Sequence, residues 1–116
     1  MEVLFSKRQN ISVAHLSGEL DHHSCKYIKG KLEIEIKKPG VKGLILDMSG
    51  VTFMDSSGMG LVVARQRLAR QRGISVALAA PGGEVAKVIS LTGLDRYIGV
   101  YETIDDAAEA LRKNSR

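Results

Sequence analysis

Tryptophan is absent from this chain, aromatic residues of every kind make up 4% of it, and its one cysteine is Cys25. A single cysteine closes no internal disulfide, which excludes a disulfide-stapled secreted scaffold and makes a reducing compartment the simplest expectation. Sparse aromatics argue against a surface on which nucleic-acid bases stack. No apolar run approaches the roughly 18 residues that span a bilayer. The opening Met1–Arg8 also lacks the charged-then-apolar order of a signal peptide. A cytoplasmic protein is therefore expected, with no membrane and no direct nucleic acid among its partners. Low-complexity stretches, linkers and internal repeats are missing too.

What remains is a 116-residue chain, 44% hydrophobic and 26% charged, which suits one globular domain over residues 1–116. The net charge is +4. Its basic residues are scattered (Lys7-Arg8, Lys37-Lys38, Arg65 to Arg72, Arg112-Lys113), as on a solvated surface, and net charge of this size speaks to solubility rather than specificity.

Hydrophobic periodicity sets out the elements. Val3–Ser6 and Ile11–Ser17 read as strands joined by the polar turn Lys7–Asn10, a hairpin pattern. Gly18-Glu19-Leu20-Asp21 breaks the run. A helix is predicted over His22–Lys37, with Cys25, Ile28, Leu32 and Ile36 on one face and Ile34 off it. Pro39-Gly40 ends it. The apolar triplet Leu44-Ile45-Leu46 marks a covered strand over Gly43–Met48. Ser49–Asp55 reads as a connection, and a second helix as Ser57–Gln71. In that helix Met59, Val62, Val63 and Leu68 face inward and Arg65, Arg67 and Arg70 largely outward. Ile74–Ala79 reads as a buried strand, Glu84–Thr92 as a short helix stopped by Gly93, and Tyr97–Tyr101 as a last strand. Thr103 opens a final helix with Asp106 in a capping-box position, and Ile104, Ala107, Ala108 and Leu111 on one face. The tail Lys113–Arg116 should fray. Strand–helix alternation over short connections implies an α/β fold: a mostly parallel sheet of four to five strands, an antiparallel first strand and about four helices.

Two clusters fall where ligand sites tend to lie in such sheets, after the carboxyl ends of parallel strands. One is Ser17 to Ser24, the other Asp55 to Gly60. Asp55, Ser56 and Ser57 precede an apolar periodic run and are N-cap candidates. Gly58 and Gly60 cost a helix roughly 1 kcal/mol each at most. A pure cap gains nothing from them, whereas a hydroxyl that a second protein must approach closely does. A serine here, Ser56 or Ser57, is thus either a cap or an exposed phosphoacceptor at a helix start that tolerates anions. In the other cluster, Asp21 reads as an N-cap or as part of a polar contact surface. Adjacent His22 and His23 point in different directions and lack a companion metal motif, so a metal site is set aside. His15 falls inside a strand, where a structural role is the simpler reading.

Enzyme classes thin out on the same grounds. No phosphate-binding Gly-x-x-x-x-Gly-Lys-[Ser/Thr] or kinase signature is present. Met54-Asp55-Ser56-Ser57-Gly58 lacks the first glycine of a nucleophile elbow, and a base for a serine hydrolase would have to be His15, His22 or His23.

At these two clusters the sequence strongly resembles the bacterial anti-sigma factor antagonists of the STAS-domain family. The resemblance covers essentially the whole chain. It is most specific at Leu16-Ser17-Gly18-Glu19-Leu20-Asp21-His22-His23-Ser24 and at Val51 to Gly60, with Ser90-Leu91-Thr92-Gly93-Leu94 in support, and it looks closest to the sporulation type. It implies a single STAS domain that is not an enzyme. Such a protein binds an anti-sigma factor that is also a serine kinase, thereby releases a sigma factor, and is phosphorylated in return at Ser56; a serine phosphatase resets it. The implied partner-binding residues are Gly18, Glu19, Asp21, His22, His23, Asp55, Ser57, Gly58 and Met59. No cofactor of its own is implied, since ATP and magnesium belong to the kinase, and the free chain is expected to be a monomer. The alternative is a STAS module that binds a small ligand or nucleotide and regulates a different partner, in general stress control or transport.

Overall fold

The hairpin forms at the start of the chain. In the structure, a computed structural model that describes residues 1–114, β1 (Glu2–Arg8) and β2 (Ile11–Leu20) pair antiparallel, with Arg8 opposite Ile11 and Glu2 opposite Ser17. Then follow α1 (His22–Lys37), β3 (Gly43–Met54), α2 (Ser56–Gln71), β4 (Ser75–Ala79), α3 (Gly83–Thr92), a 3₁₀ turn (Leu94–Arg96), β5 (Gly99–Tyr101) and α4 (Ile104–Asn114). One five-stranded sheet runs in the order β1-β2-β3-β4-β5, and every pair after the first is parallel.

Three successive crossovers advance the same way across this sheet. Right-handed connections then put α1, α2 and α3 on one face. Ile28, Leu32 and Ile36 of α1, Leu61 and Val62 of α2 and Val85 and Ile89 of α3 accordingly share one core with Leu16, Leu44, Leu46 and Leu78 of the sheet. On the other face α4 lays Ala107, Ala108 and Leu111 over Ile11, Val13, Ile45 and Ala77. Thr103 caps α4, its hydroxyl accepting the Asp106 amide at 3.0 Å.

Several boundaries differ from the sequence reading. β2 does not end at Ser17; it runs through Gly18 to Leu20 beside β3, which runs through the expected connection to Met54. The pairing survives because it absorbs two irregularities, between His15 and Ser17 and between Gly18 and Glu19. Gly18 takes a positive φ of 108° there. At Gly50 a Cβ would sit 2.8 Å from the Leu16 carbonyl oxygen, so glycine is what lets β3 close against β2. Tyr97 and Ile98 lie outside β5, because the 3₁₀ turn takes up the chain before it. Lys113 and Asn114, the first half of the predicted frayed tail, are helical, with Lys113 3.5 Å from Glu109; 115–116 lie outside the described residues. Arg65 is buried rather than outward, its guanidinium 3.3 Å from Glu33 of α1, so it ties α1 to α2.

Candidate functional site

β2 and β3 end in register, with Leu20 opposite Met54. The residue after each strand end is an aspartate, and the two have nearly the same backbone: Asp21 at φ −112°, ψ −173° and Asp55 at φ −110°, ψ −169°. Both are N-caps. Asp21 Oδ1 accepts the Ser24 amide at 2.9 Å, and Ser24 Oγ accepts the Asp21 amide at 2.9 Å, a reciprocal box. Asp55 Oδ1 accepts the Gly58 amide at 3.1 Å. Two helices thus begin side by side at one sheet edge. Their amide ends, each equivalent to about half a positive charge, point to the same region. The Ser24 amide holds the Asp21 carboxyl below the usual carboxylate range.

Because Asp55 does the capping, the serines after it are spared that task. The helix starts at Ser56, one residue earlier than predicted. Ser56 is exposed, and its hydroxyl makes no hydrogen bond with a described residue. Ser57 is half-buried and turns into a groove of about 260 Å³ between α1 and α2, beside His22, Cys25, Lys26, Lys29 and Arg65. Burial, helped by the Asp55 and Asp21 carboxylates, pushes the Cys25 thiol up, so it is a poor nucleophile in this groove.

Gly58 needs a different reason from the one its sequence suggested. It is buried, and a Cβ there would meet the Leu20 carbonyl oxygen at 2.6 Å and Met54 Cγ at 2.8 Å. The glycine lets the first turn of α2 sit directly on the end of β2, where the Asp55 amide also reaches Leu20 O at 3.5 Å. It clears space inside the fold, not for a visitor. At Gly60 a Cβ would meet nothing within 4 Å.

The other expected contact residues divide between two hollows. His22 faces the α1–α2 groove, while His23 lines a second hollow of about 530 Å³ with Glu19, Asp21, Ser24, Tyr27 and Met1. The two imidazoles stand edge to face, centroids 6.2 Å apart. Among the described residues no group of three or more His, Cys, Asp or Glu side chains could hold a metal ion. Gly18 is half-buried at the strand irregularity, one residue before exposed Glu19, and Met59 is half-buried in the first turn of α2. The sequence reading passed over Phe53 and Tyr27, which are 47% and 55% exposed on either flank of this surface. Phe53 stands opposite Glu19; the signal was the apolar Val51, Phe53 and Met54 at the supposed connection, a pattern that continues the strand.

The STAS-domain model matches residues 3–107, nearly the full length. The chain belongs to the STAS-domain family. Among curated relatives, an anti-sigma F factor antagonist of Lysinibacillus sphaericus is 38% identical over 74% of each chain. Another, from Paenibacillus polymyxa, is 26% identical over 88% of this chain and 87% of its own. Among solved structures, the anti-sigma factor antagonist SpoIIAA in its unphosphorylated form is 30% identical over 97% of both chains, with a TM-score of 0.79. The Bacillus cell fate determinant SpoIIAA in its phosphorylated form is 29% identical over 95% of this chain and 99% of its own, with a TM-score of 0.70. The chain's five strands, antiparallel first strand and four helices thus form a STAS domain whose fold matches that of SpoIIAA. Among the described residues no helix is long and apolar enough to cross a membrane.

Proposed function

We propose that this STAS domain is an anti-sigma factor antagonist, and that phosphorylation of Ser56 switches it off. Its partner is an anti-sigma factor with serine-kinase activity, which docks on the surface built around the paired helix starts. Supporting this is the resemblance to antagonists solved in both unphosphorylated and phosphorylated forms. The observation that carries it is the state of Ser56: exposed, uncommitted to capping, and in the first turn of α2.

An unmodified Ser56 is small and neutral, so a partner can pack against it. A phosphate there brings about −1.5 to −2 charges and three acceptor oxygens. The α2 start accommodates that charge within the chain. Across an interface it meets no compensation, with the Asp55 and Asp21 carboxylates close by, and an uncompensated interfacial charge costs several kcal/mol. Glu19, Asp21, His22, His23, Asp55, Ser57 and Met59 form the contact surface, while Gly18 and Gly58 shape it from beneath. ATP and magnesium are brought by the kinase, a serine phosphatase resets the switch, and the free chain is a single-domain monomer without a cofactor.

The test is phosphopeptide mass spectrometry on protein from its own host, combined with affinity measurements against the captured kinase. Phosphate is expected on Ser56. Ser56→Ala should keep the partner, and Ser56→Asp should weaken it at least about tenfold, since each 1.4 kcal/mol is tenfold. Phosphate confined to Ser57, or equal affinity for wild type and Ser56→Asp, would overturn the reading.

A further inference from the structure

On the face of the sheet that carries α4, the helix covers only part of the hairpin. Strand alternation puts Leu4, Ser6 and Arg8 of β1 on that face with Ile11, Val13 and His15 of β2 and Ile45 and Asp47 of β3. Ile11, Val13 and Ile45 lie under α4, and Arg8 reaches Asp105 at the helix start. Beyond that edge an uncovered strip remains. It holds exposed Ser6 and Leu4, with His15 and Asp47 side chains 37% and 12% exposed.

In this strip His15 Nδ1 lies 2.7 Å from Asp47 Oδ2, and His15 Nε2 lies 2.8 Å from Ser6 Oγ. The second Asp47 oxygen accepts the Ser49 amide at 3.1 Å, which fixes the carboxylate. Burial would raise the Asp47 carboxyl, but its bonds from His15 and Ser49 outweigh that and hold it below its usual range, so it is ionised. A carboxylate only accepts hydrogen bonds, so Nδ1 carries the proton of the neutral imidazole. Nε2 then offers its lone pair to Ser6, whose hydroxyl donates. Hydroxyl, imidazole and carboxylate in this order are the signature of an activated nucleophile.

We propose that Ser6 is a reactive serine, with His15 as its general base and Asp47 as the positioning residue, that takes an acyl group from activated esters. Ser6 Oγ attacks the carbonyl carbon and its proton passes to His15 Nε2. The ester C–O bond breaks, the phenolate leaves with the electron pair, and the imidazolium returns its proton to water. Leu4, two residues along on the same face, offers an apolar rest for the aryl or acyl group. Ser6 lies exposed on an open sheet face, so the substrate class is esters whose good leaving groups depart with little help, and the acyl group stays on the serine instead of turning over. Ser56, whose hydroxyl makes no hydrogen bond with a described residue, is the internal control.

The experiment treats the intact protein with 4-nitrophenyl acetate and maps the acetyl group by peptide mass spectrometry. A single-equivalent burst of nitrophenolate is expected, with Ser6 modified about 100-fold faster than Ser56, within the range of about 10²–10⁴ that general-base help supplies. Ser6→Ala should abolish the burst, and His15→Gln should bring Ser6 down to the rate of Ser56. Asp47→Asn should slow Ser6 and move the His15 ring proton, read by nitrogen NMR. Equal rates at Ser6 and Ser56, acetyl on His15 with none passing to Ser6, or an unchanged rate in folded His15→Gln would each overturn the proposal. The NMR measurement on the wild-type protein needs no variant: a proton on Nδ1 supports the relay, and a neutral ring with its proton on Nε2 refutes it.

Discussion

Gly58 and Gly60 are two residues apart in one helix turn, yet alanine at each should act in opposite directions. At Gly58 the new methyl meets the Leu20 carbonyl oxygen at 2.6 Å, Met54 Cγ at 2.8 Å and Leu20 Cγ at 3.0 Å. The nearest of these is backbone at the end of a buried strand, so it cannot swing aside. Overpacking of this kind costs about 1–3 kcal/mol, and helix propensity returns up to about 1 kcal/mol. The net expectation is a loss of roughly 1–2 kcal/mol. With unfolding entropy near 2.1 cal/mol/K per residue, a 116-residue chain loses roughly 4 °C per kcal/mol, so Gly58→Ala should melt about 4–8 °C lower. At Gly60 the methyl meets nothing within 4 Å, and the position is exposed. Gly60→Ala should gain up to about 1 kcal/mol and melt a few degrees higher. Urea and thermal unfolding followed by circular dichroism measure both. A neutral or stabilised Gly58→Ala would refute the claim that α2 rests directly on the carbonyl end of β2.

Removing the cap by Asp55→Ala should cost about 1 kcal/mol and lower the urea midpoint, while protection from amide exchange is lost first at Gly58 and Met59. Acid should destabilise the chain through two carboxylates. Burial raises Glu35, but the Ser12 hydroxyl at 2.6 Å and Lys38 at 2.9 Å outweigh it, and Glu35 and Asp47 both bind their protons less tightly than their ordinary values of 4.5 and 3.8. The unfolded chain takes up more protons below those values, so this stability is present above them and drains away as pH falls through the folded values. The urea midpoint should begin to drop as pH falls past about 4.5 and keep falling below 3.8, and Glu35→Gln should flatten its part of that slope; a midpoint indifferent to pH would show that neither carboxylate is held down.

The helices were legible because their apolar spacing was unambiguous: Ile28, Leu32 and Ile36 are buried and Ile34 is 63% exposed, as the stripe required. Strand ends were less so. Gly18 and Gly50 have low strand propensity, and nothing local reveals that β2 and β3 stay paired through them, with Gly18 opposite Val51 and Gly50 opposite Ser17; tertiary context overrode propensity there. Arg65 was misplaced for a related reason, since its burial depends on Glu33, a residue on another helix. Asp21 and Asp55 were readable because caps write themselves into short sequence. The Ser6–His15–Asp47 arrangement was not, because its members sit on three strands and meet only through register. Taken by itself His15 reads as structural, and neither Ser6 nor Asp47 stands in a local motif.

The seat of α2 on the end of β2 would also constrain how the proposed Ser56 switch is read. The Asp55 amide lies 3.5 Å from the Leu20 carbonyl oxygen and Gly58 packs beside the same carbonyl, so the first turn of α2 rests against the end of β2. A group esterified to Ser56 would therefore ride on a rigid post. The two covalent states should superimpose apart from the added atoms, and a reader would tell them apart by local charge and bulk. The tempo of signalling would then belong to the enzymes that write and erase the mark, with no refolding delay contributed by the domain itself.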